Sequence, residues 1–449
     1  MFNGVRKNSP HIRIGIVLDK AFPIDWRTEQ QAKSLVKAGY EVHILCVQTH
    51  TSQPAEELMD GIHIHRVRPE AVSCRLPFFN VKSQLPYQGL LKKVNQKLWN
   101  IDTVWHTLIS RLAERYQIDV FHVSNLRLVG TALDVGGKYG LRVVADLREH
   151  YPLLPDALSP QEALASRKEW QLIEKFSAWG VDRILTVHPG SRDRLVKHGI
   201  RPQKMALMPK AIDADHFLSI EPDLDITRQF HSNFLVTYVG PLDGRHRGVQ
   251  TILDAVILLK REIPELKFVA LSPLGSGHEQ YVQELIASRV QRHGLHQDAF
   301  VFEQADEEVI ASIMQASDLC VCPYLETDET RWSLPESLLL YHLFKKPILA
   351  SNTTLLQHYI EESGGGDTFK AEDTGELATK IGWVYLNDKL RREWGEQGHH
   401  HVMTHHRWND LAPQFVQLYD DMLRRKRHTH GPVLTPKARA ANKKPVEAV

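Results

Sequence analysis

The residues best placed to do chemistry in this chain sit in short polar stretches between apolar runs. Ser333-Leu334-Pro335-Glu336 is one. A Ser followed three residues later by Glu reads as a capping box, and Pro is tolerated in a first helical turn. The amides at such a helix start attract anions, phosphate among them. Arg148-Glu149-His150 is another, just past the apolar run Arg142–Asp146. Polar residues bunched beyond a strand's carboxyl end lie where open α/β sheets bind ligands, and His150 is a candidate general base there. Asp213-Ala214-Asp215 imitates a metal-binding DxD, and His399-His400-His401 with His405 and His406 could hold an ion. Solvated acids and surface-helix histidines compete with both readings, and no metal is assigned. Cys46, Cys74, Cys320 and Cys322 lack the CxxC spacing of a zinc or redox site, so Cys320 and Cys322 read as buried small hydrophobes of one strand.

Elements that would position these residues alternate along the chain. Strands are expected at His11–Leu18, Tyr40–Val47, Ile62–Val67, Asp119–Val123, Arg142–Asp146 and Arg183–Val187, with helices at Gln30–Ala38, Trp105–Tyr116 and Trp170–Trp179. A second series follows: strand Leu235–Gly240, helix Val249–Arg261, strand Leu266–Leu271, helix His278–His293, strand Ala299–Phe302 and helix Glu307–Ala316. Ala316–Ser351 completes it. Its strand Leu319–Pro323 leads through a polar loop into a helix from Ser333 to about Lys345-Lys346, then a strand Pro347–Ser351. This rhythm predicts doubly wound parallel sheets. The loop Phe22–Arg27 holds no GxGxxG, which weighs against a dinucleotide-binding dehydrogenase. Pro209–Asn233 is polar and reads as an irregular linker, and Arg391–Leu423 as helix.

The chain's 449 residues allow more than one core, and 42% hydrophobic with 24% charged residues is an ordinary globular composition. No transmembrane run or secretory leader stands out, so a cytoplasmic protein is expected. The net charge of +1 is uneven. Residues 66–115 carry nine Lys/Arg against three acids, and 424–449 carry eight against one. Residues 76–100 also interleave Phe78, Phe79, Leu90, Leu91, Leu98 and Trp99 with lysines, so contact with an anionic membrane face competes with plain core packing there. No nucleic-acid motif accompanies the charge, and no nucleic-acid partner is expected.

RIGIVLDKAFPIDWRTEQQAKSLVKAGYEVHILCV, VVADLREHYP, VDRILTVHPGSRDRLVKHGI, LMPKAIDADHF, YVGPLDGRHRGVQTILDAV and SLPESLLLYHLFKKPILAS occur in that order. The chain thereby resembles, over residues 11–424, the retaining glycosyltransferases of family 4 (glycosyl transferases group 1). The resemblance implies an α/β GT-B fold, two Rossmann-like doubly wound parallel-sheet domains facing across a cleft. The expected division is a tail 1–10, an acceptor domain 11–208, a linker 209–233, a donor domain 234–405, a C-terminal helix 406–424 packing back on the first domain, and a disordered basic tail 425–449. It also implies transfer of a sugar from a nucleotide-sugar to a glycan or glycolipid acceptor with retention, without a metal or other cofactor, in polysaccharide or glycoconjugate biosynthesis at the inner membrane face.

Residue by residue, Arg247 matches the Lys of the family's G-R-x4-K-G pattern that grips the donor diphosphate after Gly240, and Arg245 stands in for its Arg. The E-x7-E positions are Trp332 and Leu340, which cannot accept a bond from a sugar hydroxyl. Glu336, one turn earlier, is the candidate substitute unless it is spent on the capping box; Asp328 and Glu329 are further candidates for donor hydroxyls, and Ser333 for the diphosphate. Arg148 falls where relatives carry a His near the transferred sugar. Asp25, Arg27 and Glu149 are candidate acceptor contacts. Leu340 also motivates a rival, a non-catalytic GT-B partner subunit, with a sugar-nucleotide epimerase as a further alternative.

Overall fold

The computed structural model describes residues 12–23, 25–49, 52–73, 102–148, 160–242, 245–273, 300–327 and 330–424. Glu149, His150, Asp328, Glu329, residues 76–100, the helix expected at His278–His293 and the basic tail 425–449 lie outside them. The chain divides into two units, Met1–Pro209 with Ala412–Val449, and Lys210–Leu411.

The first unit is built on an eight-stranded sheet in the order β3-β4-β2-β1-β5-β6-β7-β8. Its strands are β1 Arg13–Ala21, β2 Glu41–Val47, β3 Glu56–Met59, β4 Ile62–Val67, β5 Val120–Val123, β6 Arg142–Leu147, β7 Arg183–Thr186 and β8 Met205–Leu207. All neighbours are parallel except the edge strand β3, which pairs antiparallel with β4. Central strands covered by helices on both faces need continuous apolar residues, and Ile14, Ile16, Val17, Val120, Phe121 and Val123 are buried accordingly. The helix Thr103–Tyr116 is capped by Asp102 and Leu126–Tyr139 by Asn125, and both pack on this sheet through Trp105, Ile109, Leu112, Leu128 and Val135.

The second unit holds a six-stranded parallel sheet in the order β11-β10-β9-β12-β13-β14. The strands are β9 Phe234–Val239, β10 Leu266–Pro273, β11 Phe300–Ala305, β12 Leu319–Cys322, β13 Ile348–Ser351 and β14 Gly366–Phe369. Every residue of β9 is buried, and Val249–Leu259 and Thr374–Leu386 cover it through Ile252, Leu253, Val256, Leu377 and Ile381. Cys46, Cys320 and Cys322 are buried free thiols. Where the sequence suggested an irregular linker, the chain forms two short helices, Ala214–Ser219 and Leu224–Gln229, started by the carboxylates of Asp213 and Asp223. Arg391–Leu423 is two helices, Asp388–His405 and Trp408–Arg424, broken at His406-Arg407. Among the described residues no helix is long and apolar enough to cross a membrane.

The last helix belongs to the first unit from Ala412 onward. Phe415 and Tyr419 are fully buried there, and the Tyr419 hydroxyl lies 2.5 Å from His122 Nδ1 on β5. Tyr40 donates to Asp420 at 2.5 Å alongside. Tyr419→Phe leaves a buried imidazole nitrogen without its partner, which costs about 1–3 kcal/mol. Urea unfolding is expected to show a lower midpoint at unchanged slope; an unchanged midpoint would mean that water replaces the phenol.

Candidate functional site

In each sheet one strand has neighbours reached by chain runs in opposite directions. In the first it is β1, between β2 and β5; in the second it is β9, between β10 and β12. The carboxyl ends of strands at such a reversal form the natural ligand crevice of an open α/β sheet. Asp25, Arg27 and Arg148 lie at the first of these places, and the Arg245–Arg247 turn lies at the second.

In the first unit the chain leaves β1, turns, and enters the helix Trp26–Lys37 at Asp25, whose carboxylate accepts from the Thr28 amide at 2.8 Å. Arg148, immediately after β6, donates to both Asp25 oxygens at 2.7 and 2.8 Å, to Asp146 Oδ2 at 2.9 Å and to the Thr28 hydroxyl at 2.8 Å. Arg27 donates to both Asp146 oxygens at 3.0 and 3.1 Å and also to the carbonyls of Met208 and Pro209. Gln31 completes the shell of Asp146 at 3.0 Å. Asp146 is wholly buried, so its carboxylate depends on these donors.

The electrostatics follow from that packing. Burial pushes the Asp25 carboxyl up, but the Arg148 guanidinium and the Thr28 amide outweigh it and hold it at about 2. Burial acts likewise on Asp146, and Arg27 and Arg148 drive it far below the carboxylate range. Burial lowers Arg148, and Asp25 and Asp146 more than reverse this, so it stays charged. His122, fully enclosed, is pushed down to about 4 by burial against the pull of Asp146, whose Oδ2 is 3.9 Å from its Nε2. Sequence reasoning placed Asp25, Arg27 and Arg148 here but missed Asp146 as their hub. A charged residue ending an apolar strand was the available signal.

In the second unit β9 ends at Val239, just before Gly240, and a tight 3₁₀ turn, Arg245–Arg247, leads through Gly248 into Val249–Leu259. Gly248 has φ +67°, and a Cβ there would sit 1.8 Å from the Pro323 carbonyl oxygen, so only glycine lets the turn press against the end of β12. Leu325 N donates to His246 O at 2.9 Å across that contact. Arg247 donates to the Tyr324 hydroxyl and lies over the Tyr324 ring, 4.9 Å from guanidinium carbon to centroid. Tyr324, a residue the sequence reading passed over, thus fixes Arg247 at the reversal point. Tyr341, fully buried, accepts from Val239 N at 2.7 Å and ties the helix Ser337–Leu343 to the end of β9.

The expected capping box is absent. The helix begins at Ser337 rather than Ser333, because Thr327 and Thr330 exchange main-chain to side-chain bonds and draw Thr330–Trp332 into a 3₁₀ turn. Ser333 N is used on Thr330 O in that turn, and the helix is seven residues long. Glu336 stands at the N-cap position, half-buried, and its carboxylate caps nothing. Leu340 is fully buried. Asp213 is spent on a helix cap, and Asp215 pairs with Arg407 at 3.1 Å and with Asn409. His399 and His406 direct Nδ1 at the carbonyls of Leu343 and Lys210.

Family models match the chain twice: a glycosyl transferase 4-like domain over residues 24–211 and glycosyl transferases group 1 over residues 233–387. The chain is 23% identical over 325 residues to the MMP α-(1→4)-mannosyltransferase of Mycolicibacterium hassiacum, covering 69% of this chain and 72% of that protein. In structure it is similar to sucrose-phosphate synthase from Thermosynechococcus elongatus, with TM-score 0.69, 17% identity, and 92% and 99% of the two chains covered. It is similar also to Anabaena HepE in complex with UDP-glucose, with TM-score 0.64, 14% identity, and 92% and 100% covered. The fold is GT-B.

The Asp146 network carries two expectations. Arg27→Met removes one of two cations from a buried carboxylate and should lower stability by about 3–5 kcal/mol in denaturant titration. Asp25 has a folded pKa of about 2, below its ordinary 3.8. It therefore adds stability, about 2 kcal/mol, that is complete above roughly pH 5 and lost as pH falls through 4 toward 2. Asp25→Asn should flatten that part of the stability–pH curve while the remaining acid sensitivity persists.

Proposed function

The chain belongs to the group 1 glycosyltransferases, and we propose that it moves a sugar from a nucleotide-sugar to a glycan or glycolipid acceptor with retention of anomeric configuration and without a metal. In such a transfer the bond from the anomeric carbon to the donor phosphate breaks as one to the acceptor oxygen forms. The acceptor proton passes to the departing nucleoside diphosphate, attack and departure sharing one face of the sugar. Charge gathering on the diphosphate must be met by fixed positive groups.

Arg247 carries the reading. It stands at the reversal point of the second sheet, stacked on Tyr324 and hydrogen-bonded to its hydroxyl, where a bidentate guanidinium suits a diphosphate. Arg245 begins the same 3₁₀ turn and is assigned a supporting contact. Glu336, free of any capping role, is assigned to the donor's sugar hydroxyls in place of the family's ribose-binding carboxylate, and Gly240 to the donor-facing turn after β9. Asp25 is assigned to acceptor hydroxyls, with Arg148 positioning it; Arg27, 4% exposed and committed to Asp146 and two carbonyls, supports the pair from beneath. The basic segments suit a membrane-bound acceptor and a role in polysaccharide or glycoconjugate synthesis. The buried Leu340 favours one rival, a partner subunit that has lost its donor site.

Calorimetry with a panel of uridine, guanosine and adenosine diphosphate sugars separates the two. A member of the panel is expected to bind. Arg247→Ala should weaken it roughly 10–100-fold, the worth of one charge-assisted contact, and Glu336→Gln by a smaller factor. A folded protein that binds none of the panel is the partner subunit instead, and an Arg247→Ala variant of unchanged affinity moves the diphosphate elsewhere.

A further inference from the structure

At the amino-terminal ends of the first sheet, opposite the carboxyl-end crevice, β2 and β4 run in parallel with His43 paired directly with His63. Side chains two apart on a strand share a face, so Glu41 and His43 of β2 and His63 and His65 of β4 all project to one side of the sheet. The His43 ring stacks on His63, centroids 4.7 Å apart and planes 14° from parallel, and on His65 at 5.3 Å and 9°. One ligand atom from each of Glu41, His43 and His63 lies within 4.8 Å of the other two. We propose that Glu41, His43 and His63 form a binding site for a divalent transition-metal ion, zinc or one of similar preference.

The donor set is the first argument. Two imidazoles and a carboxylate suit zinc and its neighbours, whereas magnesium and calcium take oxygen. Zinc bonds of roughly 2.0–2.2 Å require these donors, within 4.8 Å of one another, to close up and the stacked His43 and His63 rings to tilt until their lone pairs converge. The second argument is the support around them. His43 Nε2 faces Glu41 Oε1 at 3.0 Å, while its Nδ1 meets His65 Nε2 at 3.0 Å. With an ion on Nε2, His43 donates Nδ1–H to His65, the outer-shell bond that orients a ligating imidazole. Tyr116 packs against the His43 and His65 rings, 4.7 and 4.4 Å between centroids, and holds the pair in place.

Access agrees with this. His43 is buried, but Glu41 and His63 are partly exposed, leaving an open side for the ion and a water ligand. The charged neighbour on the strand side is Arg13, which donates from Nε to Glu41 Oε2 at 3.1 Å. Arg13 is 37% exposed, so the pair is weakly held, and Glu41 Oε1 stays available. Arg115 near His65 is paired with Glu56 at 2.8 Å. Because the site lies at the strand ends remote from the crevice, the ion would clip β2 to β4 beside the edge strand and take no part in sugar transfer.

The test uses the full chain without an affinity tag. Cobalt(II) is titrated with visible d–d absorption as the readout, and zinc by calorimetry and thermal unfolding. The wild type should bind one ion with a tetrahedral cobalt spectrum, and its unfolding midpoint should rise with zinc. His63→Ala and Glu41→Gln should each lose at least about 10-fold in affinity, and His65→Gln roughly 10–100-fold. Arg13→Gln, which removes the competitor for Glu41, should bind more tightly. A variant with His399→Ala, His400→Ala and His405→Ala controls for the other histidine-rich surface and should bind as the wild type does. Circular dichroism establishes that each variant is folded. No binding by the wild type, unchanged affinity in both His63→Ala and Glu41→Gln, or loss only in the His399–His405 variant overturns the proposal.

Discussion

The carboxylate of Asp146 is the constraint on which the first unit is built. An ion with no exposure to water costs several kcal/mol to desolvate, and only well-placed partners offset that. Arg27 comes from the first turn of the helix after β1, Arg148 from the residue after β6, and Arg27 reaches on to carbonyls beyond β8. One buried charge therefore fixes the relative positions of three connections at the carboxyl edge of the sheet. The two arginines are balanced by the two aspartates, so the cluster as a whole is neutral. That balance bears on role. Arg148 has its donors committed to Asp25, Asp146 and Thr28, which suits it to hold an ionised Asp25 in place better than to receive a phosphate.

The second unit solves the same positional problem with phenols. Tyr341 clasps the end of β9 from the following helix, and Tyr324 holds Arg247 by its hydroxyl and its face. A phenol can be buried cheaply when its hydroxyl has a partner, so Tyr324 and Tyr341 position their neighbours without adding charge of their own. The difference between the units is what the proposed roles call for: neutral hydroxyl recognition in one, a dianionic diphosphate in the other.

How much of this could be read from sequence depended on how local its cause was. The strands β4, β9, β12 and β13 and the helix Glu307–Ala316 were legible because continuous apolar runs or a caps-and-periodicity pattern specify them locally. Leu126–Tyr139 was not, since Gly130, Gly136 and Gly137 blur its periodicity, although Asn125 caps it. β3 was missed because an edge strand carrying Glu56 and Glu57 lacks an apolar face. Ser333-x-x-Glu336 satisfied the capping pattern and still failed, because the Thr327–Thr330 turn claimed the backbone first. The Asp146 hub was only half legible: a charged residue ending an apolar strand, with Arg148 two residues on, was a local signal, but its partners Arg27 and Gln31 lie 119 and 115 residues away and no local pattern encodes that meeting.

The last helix extends the same logic to the end of the described chain. His122 meets Tyr419 through Nδ1, and its Nε2 faces Asp146 at 3.9 Å with no hydrogen-bond partner. Were His122 protonated, it would add a third cation around Asp146; burial keeps it neutral, so the cluster keeps its balance and Tyr419 keeps its partner. The helix from Ala412 onward is thus joined, through one neutral imidazole, to the layer beneath Asp25 and Arg148. A residue separated from β5 in sequence by the whole second unit closes the buried floor of the first unit's candidate site. The chain must therefore return to the first unit before that floor is complete, and the site's geometry is a property of both ends of the chain together.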